Sequence, residues 1–106
     1  MIAYTVSCTF DDPGIADEWI DWMCDEHLMD VCNAGAIEAE LVRFDGRPVR
    51  VEARYHFLSR QAFEEYEQQY APQLREEGLK RFPLERGLHY ERSTGEVLSL
   101  HQRAAT

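Results

Sequence analysis

This sequence predicts an α+β domain built as strand, helix, strand, strand, helix, strand. Three observations predict it. Ile2 to Phe10 alternates between apolar and polar residues. Ile15 to about Asn33 repeats its apolar residues at the period of a helix. An Asp45-Gly46 turn signal separates two further strand-like runs.

The first strand sends Ile2, Tyr4, Val6, Cys8 and Phe10 to one side. Asp11, Asp12, Pro13 and Gly14 break it and suit a helix start. In the helix that follows, Ala16, Trp19, Ile20, Met23, His27 and Val31 share one arc. Asp17, Glu18, Asp21 and Asp25 fall opposite, and Gly35 stands where a C-terminal cap belongs. Ala36 to Phe44 reads as a second strand. Val49 to Leu58 is a third, with Val49, Val51, Ala53, Tyr55 and Phe57 on its apolar face. Strands two and three should form a hairpin, its turn extended by Arg47-Pro48.

Ser59 is a good N-cap, because its hydroxyl accepts from an early helical amide. Gln61 to Tyr70 is the second helix, with Phe63, Tyr66 and Tyr70 on one side. Pro72 cannot continue it undisturbed, so it should open a kinked segment that reaches Phe82 and ends at Pro83. Arg86 to Ser93 is a fourth strand, and Thr94-Gly95 reads as a turn. The order matches the ferredoxin-like βαββαβ arrangement. Right-handed crossovers place both helices on one face of a four-stranded antiparallel sheet. A single domain is expected over residues 1–98 and a disordered tail over residues 99–106.

The chain has 20 acidic residues against 11 Lys and Arg, a formal net charge of -9. That balance argues against nucleic acid, whose phosphates need clustered bases. No apolar run is long enough to span a membrane. No basic region precedes an apolar stretch at the start, so a cytoplasmic protein is expected. Three cysteines, Cys8, Cys24 and Cys32, make no disulfide framework. A metal reading of Cys24, His27 and Cys32 lacks a fourth ligand, so neither metal nor other cofactor is expected. A histidine could hold haem, but no attachment motif exists.

All eleven Lys and Arg follow Val42, which leaves residues 1–42 with ten acids and no basic residue. The acids could face a second copy of the chain or form a solvated helix face. The helix-free face of the sheet is polar: Thr5, Ser7, Glu38, Glu40, Arg50, Glu52, Arg54, His56, His89 and Glu91 fall on it. It could lie open to water, or two sheets could meet through it in a homodimer closed as an α/β barrel.

His27 is the leading candidate for function. It lies on the apolar arc, where an imidazole lacks water. It could act as an acid/base or hydrogen-bond a ligand between helices and sheet, or be a structural histidine bonded to a carbonyl or tyrosine. Trp19, Trp22, Met23, Tyr66 and Tyr70 could line a pocket for a flat ligand beside it, or fill the core. Trp22 lies to the side of the arc and suits a pocket rim. Arg75, Lys80, Arg81 and Arg86 could bind a carboxylate or pair with the acidic helix, Glu76, Glu77 and Glu85. His56 and His89 could relay protons with Glu52 or Glu91, or belong to a polar dimer interface. No phosphate loop, HExxH or nucleophile elbow is present.

Two motifs carry a resemblance. Trp19, Trp22, Met23 and His27 form W-x-x-W-M-x-x-x-H; Ala71, Pro72, Leu74, Arg75, Arg81 and Phe82 form A-P-x-L-R-x-x-x-x-x-R-F. In these, and along Met1 to Leu98, the chain resembles an uncharacterised bacterial domain-of-unknown-function family in the dimeric α/β-barrel superfamily. The resemblance implies the ferredoxin-like fold and a homodimer. It implies no activity, because the family has no established catalytic residues. Superfamily relatives include cofactor-independent monooxygenases and isomerases, and fold does not transfer function among them. The expected function is binding of a small organic ligand near His27. The alternatives are a cofactor-independent monooxygenase or isomerase of a small aromatic or carbonyl compound, or a protein-interaction module.

Overall fold

The computed structural model describes residues 1–104. Four strands, β1 (Ile2–Phe10), β2 (Glu38–Arg43), β3 (Val49–Phe57) and β4 (Leu88–Glu96), form one antiparallel sheet in the order β2-β3-β1-β4. β1 is central and pairs along its whole length on both sides. Ile2 faces Phe57 on one side and Glu96 on the other; Phe10 faces Val49 and Leu88. This is the predicted ferredoxin-like α+β fold, with both helical crossovers against one face.

Each crossover is broken. The first runs through α1 (Pro13–Trp22), a π turn over Met23–His27 and α2 (Leu28–Asn33). Asp12 caps its start by accepting from Gly14 N–H at 2.8 Å. Within the π turn, Leu28 N–H donates to the Met23 carbonyl five residues back. The second runs through α3 (Arg60–Gln69) and α4 (Ala71–Arg81). Ser59 Oγ accepts from Ala62 N–H at 3.1 Å, the predicted cap. Pro72, which has no N–H to donate, sits in the first turn of α4 and fixes the break at Tyr70. Gly35 carries φ +131° after α2, as its expected capping place requires.

The core lies between this helical layer and the sheet. Phe10, Trp19, Val31, Val51, Tyr55 and Phe57 are its largest enclosed side chains together with Cys8. The aromatic rings interlock: Phe57 meets Phe63 edge-on at 5.2 Å, and Phe10 meets Trp19 edge-on at 5.3 Å.

The fourth strand departs from the expected boundary. Thr94 and Gly95 do not turn; they pair with Tyr4 and Ala3, and the strand continues to Glu96. Gly95 lacks the positive φ of Gly35, Gly46 and Gly87, and continued pairing with β1 satisfies the backbone that a turn would leave open. Val97 N–H then donates to the Met1 carbonyl at 2.9 Å. Residues 98–104 are exposed and form neither strand nor helix; Ala105 and Thr106, also part of the expected tail, lie outside the described residues. Among the described residues, no helix is long and apolar enough to cross a membrane.

The acidic first half is tied to the basic second half within the chain. Arg43 pairs with Asp17 at 3.1 Å, Arg81 with Glu26 at 3.1 Å and Arg86 with Glu18 at 3.0 Å. On the outer sheet face, Arg50 and Arg54 both clasp Glu52, at 2.9 and 3.1 Å. His56 bonds Glu38 at 2.7 Å, while His89 bonds Asp11 at 3.1 Å. The two histidines occupy opposite ends of the sheet, one in the Ala3 row and one in the Thr9 row, so they form no proton relay with each other.

Gly87 joins the second crossover to β4 at φ +89°, and its carbonyl accepts from Asp11 N–H at 3.0 Å. A Cβ there would stand 2.9 Å from Asp11 Oδ2 and 3.0 Å from Asp11 Cβ. Gly87→Ala should therefore destabilise the fold by about 1–3 kcal/mol. Urea unfolding measures it; a variant as stable as the parent would refute the strain.

Candidate functional site

The alternation of β1 predicts five buried side chains, but one of them is not enclosed. Tyr4 and Cys8 are buried, while Val6 between them is only half-buried. No helix covers it. Val6 is the floor of a pocket of about 500 Å3 between sheet and helices.

The walls come from both crossovers. α1 and the π turn supply Trp19, Trp22, Met23 and His27. α3 supplies Tyr66, and α4 supplies Leu74, Arg75 and Leu79. Leu79 and Leu84, 47% and 53% exposed, stand at the rim with Arg92. α4 comes close to α1 because residue 78 is glycine: a Cβ at Gly78 would lie 3.2 Å from Trp22 Cη2. Trp22 is thereby held between α4 and His27. Its ring stacks on the imidazole, centroids 4.6 Å apart at 29°, and meets Phe82 at 5.6 Å.

His27 lies at the end of the π turn, a wide turn that often marks a functional position. Among the described residues its ring nitrogens hydrogen-bond to no protein group, so the expected carbonyl or tyrosine partner of a structural histidine is not there. Burial holds its pKa below the ordinary imidazole value. The positive Arg92 adds to that effect, and the Asp30 carboxylate opposes it. The neutral imidazole therefore offers the pocket a free basic nitrogen.

Three of the phenols around it, Tyr55, Tyr66 and Tyr90, are desolvated and held protonated. Desolvation raises Tyr55 and Tyr66 well above the ordinary phenol value and pushes Tyr90 up to about 12. Two of the phenol oxygens are held from outside the sheet. Tyr90 accepts from Trp19 Nε1 at 3.0 Å, and Tyr4 accepts from an Arg75 amino group at 3.0 Å. Arg75 also pairs with Glu67 at 2.8 Å. That partner was not among those expected for the basic cluster, whose other members behave as the pairing reading requires: Lys80 meets Glu76, and Arg81 and Arg86 reach the acidic helix.

Five of the six sequence-predicted ligand contacts, Trp19, Trp22, Met23, His27 and Tyr66, come together here. Tyr70 does not. α3 ends before it, and it stands 47% exposed at the α3–α4 corner, over a separate shallow depression beside Asp30 and Gln73. Arg92 was missed. It sits across from Val6 on the inward face of β4, its guanidinium 5.1 Å from the Tyr90 ring. The alternation Leu88, Tyr90, Arg92 within the expected strand places it there, but an arginine does not extend an apolar stripe and so gives no signal of a pocket. Cys8 is enclosed beneath the pocket, and burial pushes its thiol up to about 12, so it is no nucleophile at neutral pH. Cys24 is exposed, and among the described residues no three His, Cys, Asp or Glu side chains converge as a metal site.

The fold and this cavity define a class: a ferredoxin-like α+β domain with an aromatic pocket between its helices and sheet. The chain belongs to the family described as Domain of unknown function (DUF4286), which matches residues 1–92. No curated protein matches it. Among solved structures, it is similar to a dimeric ferredoxin-like protein from an uncultured marine organism, with 15% identity and a TM-score of 0.73 over 97% of this chain and 100% of that one. It is similar to HapK from Hahella chejuensis, with 15% identity and a TM-score of 0.70 over 99% and 100%. It is also similar to SnoaB, a cofactor-independent oxygenase from Streptomyces nogalater, with 11% identity and a TM-score of 0.66 over 93% and 94%. These likenesses establish the fold.

His27 gives the fold a pH dependence of definite sign. Its pKa is lower folded than the ordinary 6.5, so its contribution to stability is present above that value and is lost as pH falls toward the folded value. Melting temperatures taken from about pH 7.5 to about pH 5 should fall less steeply for His27→Gln than for the parent. Parallel curves would show that His27 is not held neutral by the fold.

Proposed function

We propose that this protein is a cytoplasmic homodimer that binds a small planar organic molecule between its helices and sheet. One observation carries the binding reading: a cavity of about 500 Å3 stands open over Val6, walled by Trp22 stacked on an unpartnered His27. A core-filling role for the same aromatics would close that space. The stacked pair presents a flat face, which favours a flat ligand.

The homodimer forms through the outer sheet face. Ala3, Thr5, Ser7 and Thr9 run down its centre and allow a second sheet to approach closely. Glu52, clasped by two arginines, is 14% exposed before any partner arrives, so its charge is already compensated. The similar protein from the marine organism is described as dimeric, which supports self-association.

A second reading is favoured by the free nitrogen of His27. A neutral imidazole in a desolvated pocket can take a proton from a phenolic or α-carbonyl position of a bound substrate. That is the step an isomerase or a cofactor-independent oxygenase requires, and SnoaB is an oxygenase of that type on this fold.

The chain contains two tryptophans, so its indole N–H signals report the pocket directly. In a titration with hydroxynaphthalene fragments, both the Trp19 and Trp22 signals should shift. Binding that leaves both unmoved lies elsewhere and overturns the pocket reading. Sedimentation of the same sample should give twice the 12.4 kDa chain mass; a monomer overturns the dimer. If His27 is a base, His27→Ala abolishes turnover while the indole shifts persist.

A further inference from the structure

We infer that the pocket selects an anionic ligand, a planar molecule bearing a carboxylate, sulfonate or phenolate, and that Arg92 is the residue that recognises it. This rests on the pocket reading above and adds the charge class of its ligand.

The charge distribution argues for it. The chain has 20 acidic residues, and none of them lines the pocket. Of the two arginines that do, Arg75 is neutralised by Glu67 and engaged by the Tyr4 hydroxyl. Arg92 makes no salt bridge among the described residues, and the face of Tyr90 is its near neighbour. Lys80, Arg81 and Arg86 on the helical side each meet a carboxylate; Arg60, at the start of α3, does not among the described residues, but it does not line the pocket. In a protein this acidic, an inward-facing guanidinium left without a carboxylate is a vacancy for an anion from outside.

The position is suited to that task. Arg92 pairs across the strands with Val6, the pocket floor, and projects from β4, an edge strand of the sheet, so that its exposed side chain stands at the rim. Its charge reaches the groups that surround the cavity. It lowers the proton affinity of His27, Tyr55, Tyr66 and Tyr90 alike. These neighbours cannot supply the missing negative charge, because burial keeps the phenols protonated and the imidazole neutral. A ligand carrying one negative charge would complete the site, its apolar body lying along Trp22 and its anionic group against the guanidinium.

Two fluorescent probes that share one ring skeleton test this. Anilinonaphthalene sulfonate is an anion, and N-phenyl-naphthylamine is the same skeleton without the sulfonate. The parent protein should bind the anion at least about tenfold more tightly, the lower end of what a partly exposed charge-assisted contact gives. Arg92→Gln should erase that preference and leave the affinity for the neutral probe within about twofold. Arg92→Lys, which keeps the charge, should retain most of it, and added salt should weaken the anion alone. Equal affinity of the parent for both probes overturns the anion assignment, as does an equal loss of both in Arg92→Gln. If neither probe moves the Trp19 and Trp22 indole signals, the pocket reading itself falls, which separates the two failures.

Discussion

The double pairing of β1 is the constraint on which the rest of the molecule depends. Nine residues bond to β3 on one side and to β4 on the other, so the apolar side of β1 must face the helical layer along its whole length. The crossovers cover both ends of that side. Trp19 closes over Phe10, and Phe63 and Tyr66 close over Tyr4. The middle stays uncovered because Gly78 lets α4 rest on Trp22, and Trp22 leans on His27 rather than on the sheet. The pocket is thus a product of packing geometry: two broken helices meet each other before they meet Val6.

This origin explains the chemical character of the cavity. Its walls are side chains that elsewhere would be core, so they are aromatic, and their polar atoms are few and aimed. Trp19 and Arg75 each donate to a phenol oxygen and hold it in place. The imidazole is left basic and the guanidinium left unpaired. A large negative net charge therefore coexists with a pocket that contains no carboxylate. The acids sit on the outer side of the first crossover, where arginines from the second half of the chain answer Asp17 and Glu18 on α1 and Glu26 in the π turn.

Much of this was legible in the sequence, and what was missed has physical reasons. Period-two alternation located β1 and β3 almost to the residue, because each has one buried face. Ser59 and Pro72 located the boundaries of α3 and α4 through groups that do one thing well, a hydroxyl that accepts and a ring that cannot donate. The expected end of β4 at Ser93 falls short because exposed Thr94 and Gly95 resemble turn residues; β1, far away in sequence, holds them extended. Tyr70 falls away from Phe63 and Tyr66 because α3 ends at Gln69, one residue before the expected end, and the non-helical backbone at Tyr70 turns its side chain outward. The π turn leaves no mark in the apolar periodicity, since Met23, His27 and Val31 keep a four-residue spacing that an α-helix also tolerates. Arg92 lies inside the strand expected over Arg86 to Ser93, but a charged residue in line with Leu88 and Tyr90 does not continue an apolar stripe, so the stripe alone gives it no role.

The three ion pairs that cross from the first half to the second also bear on the order of folding. While the chain emerges N-terminus first, its first 42 residues carry ten negative charges with no basic residue to offset them. Their strand, β1, has no neighbour until β3 is made and no second neighbour until residue 96. Self-repulsion and missing partners therefore act together to keep this segment from collapsing on itself early. The later elements then bring countercharges, Arg43 with the β2–β3 hairpin, Arg81 with α4 and Arg86 just before β4, and the hairpin and β4 bring the pairing edges as well. Assembly is consequently a late, concerted event with large sequence separations, which favours a slow folder whose first half waits unpaired for its second.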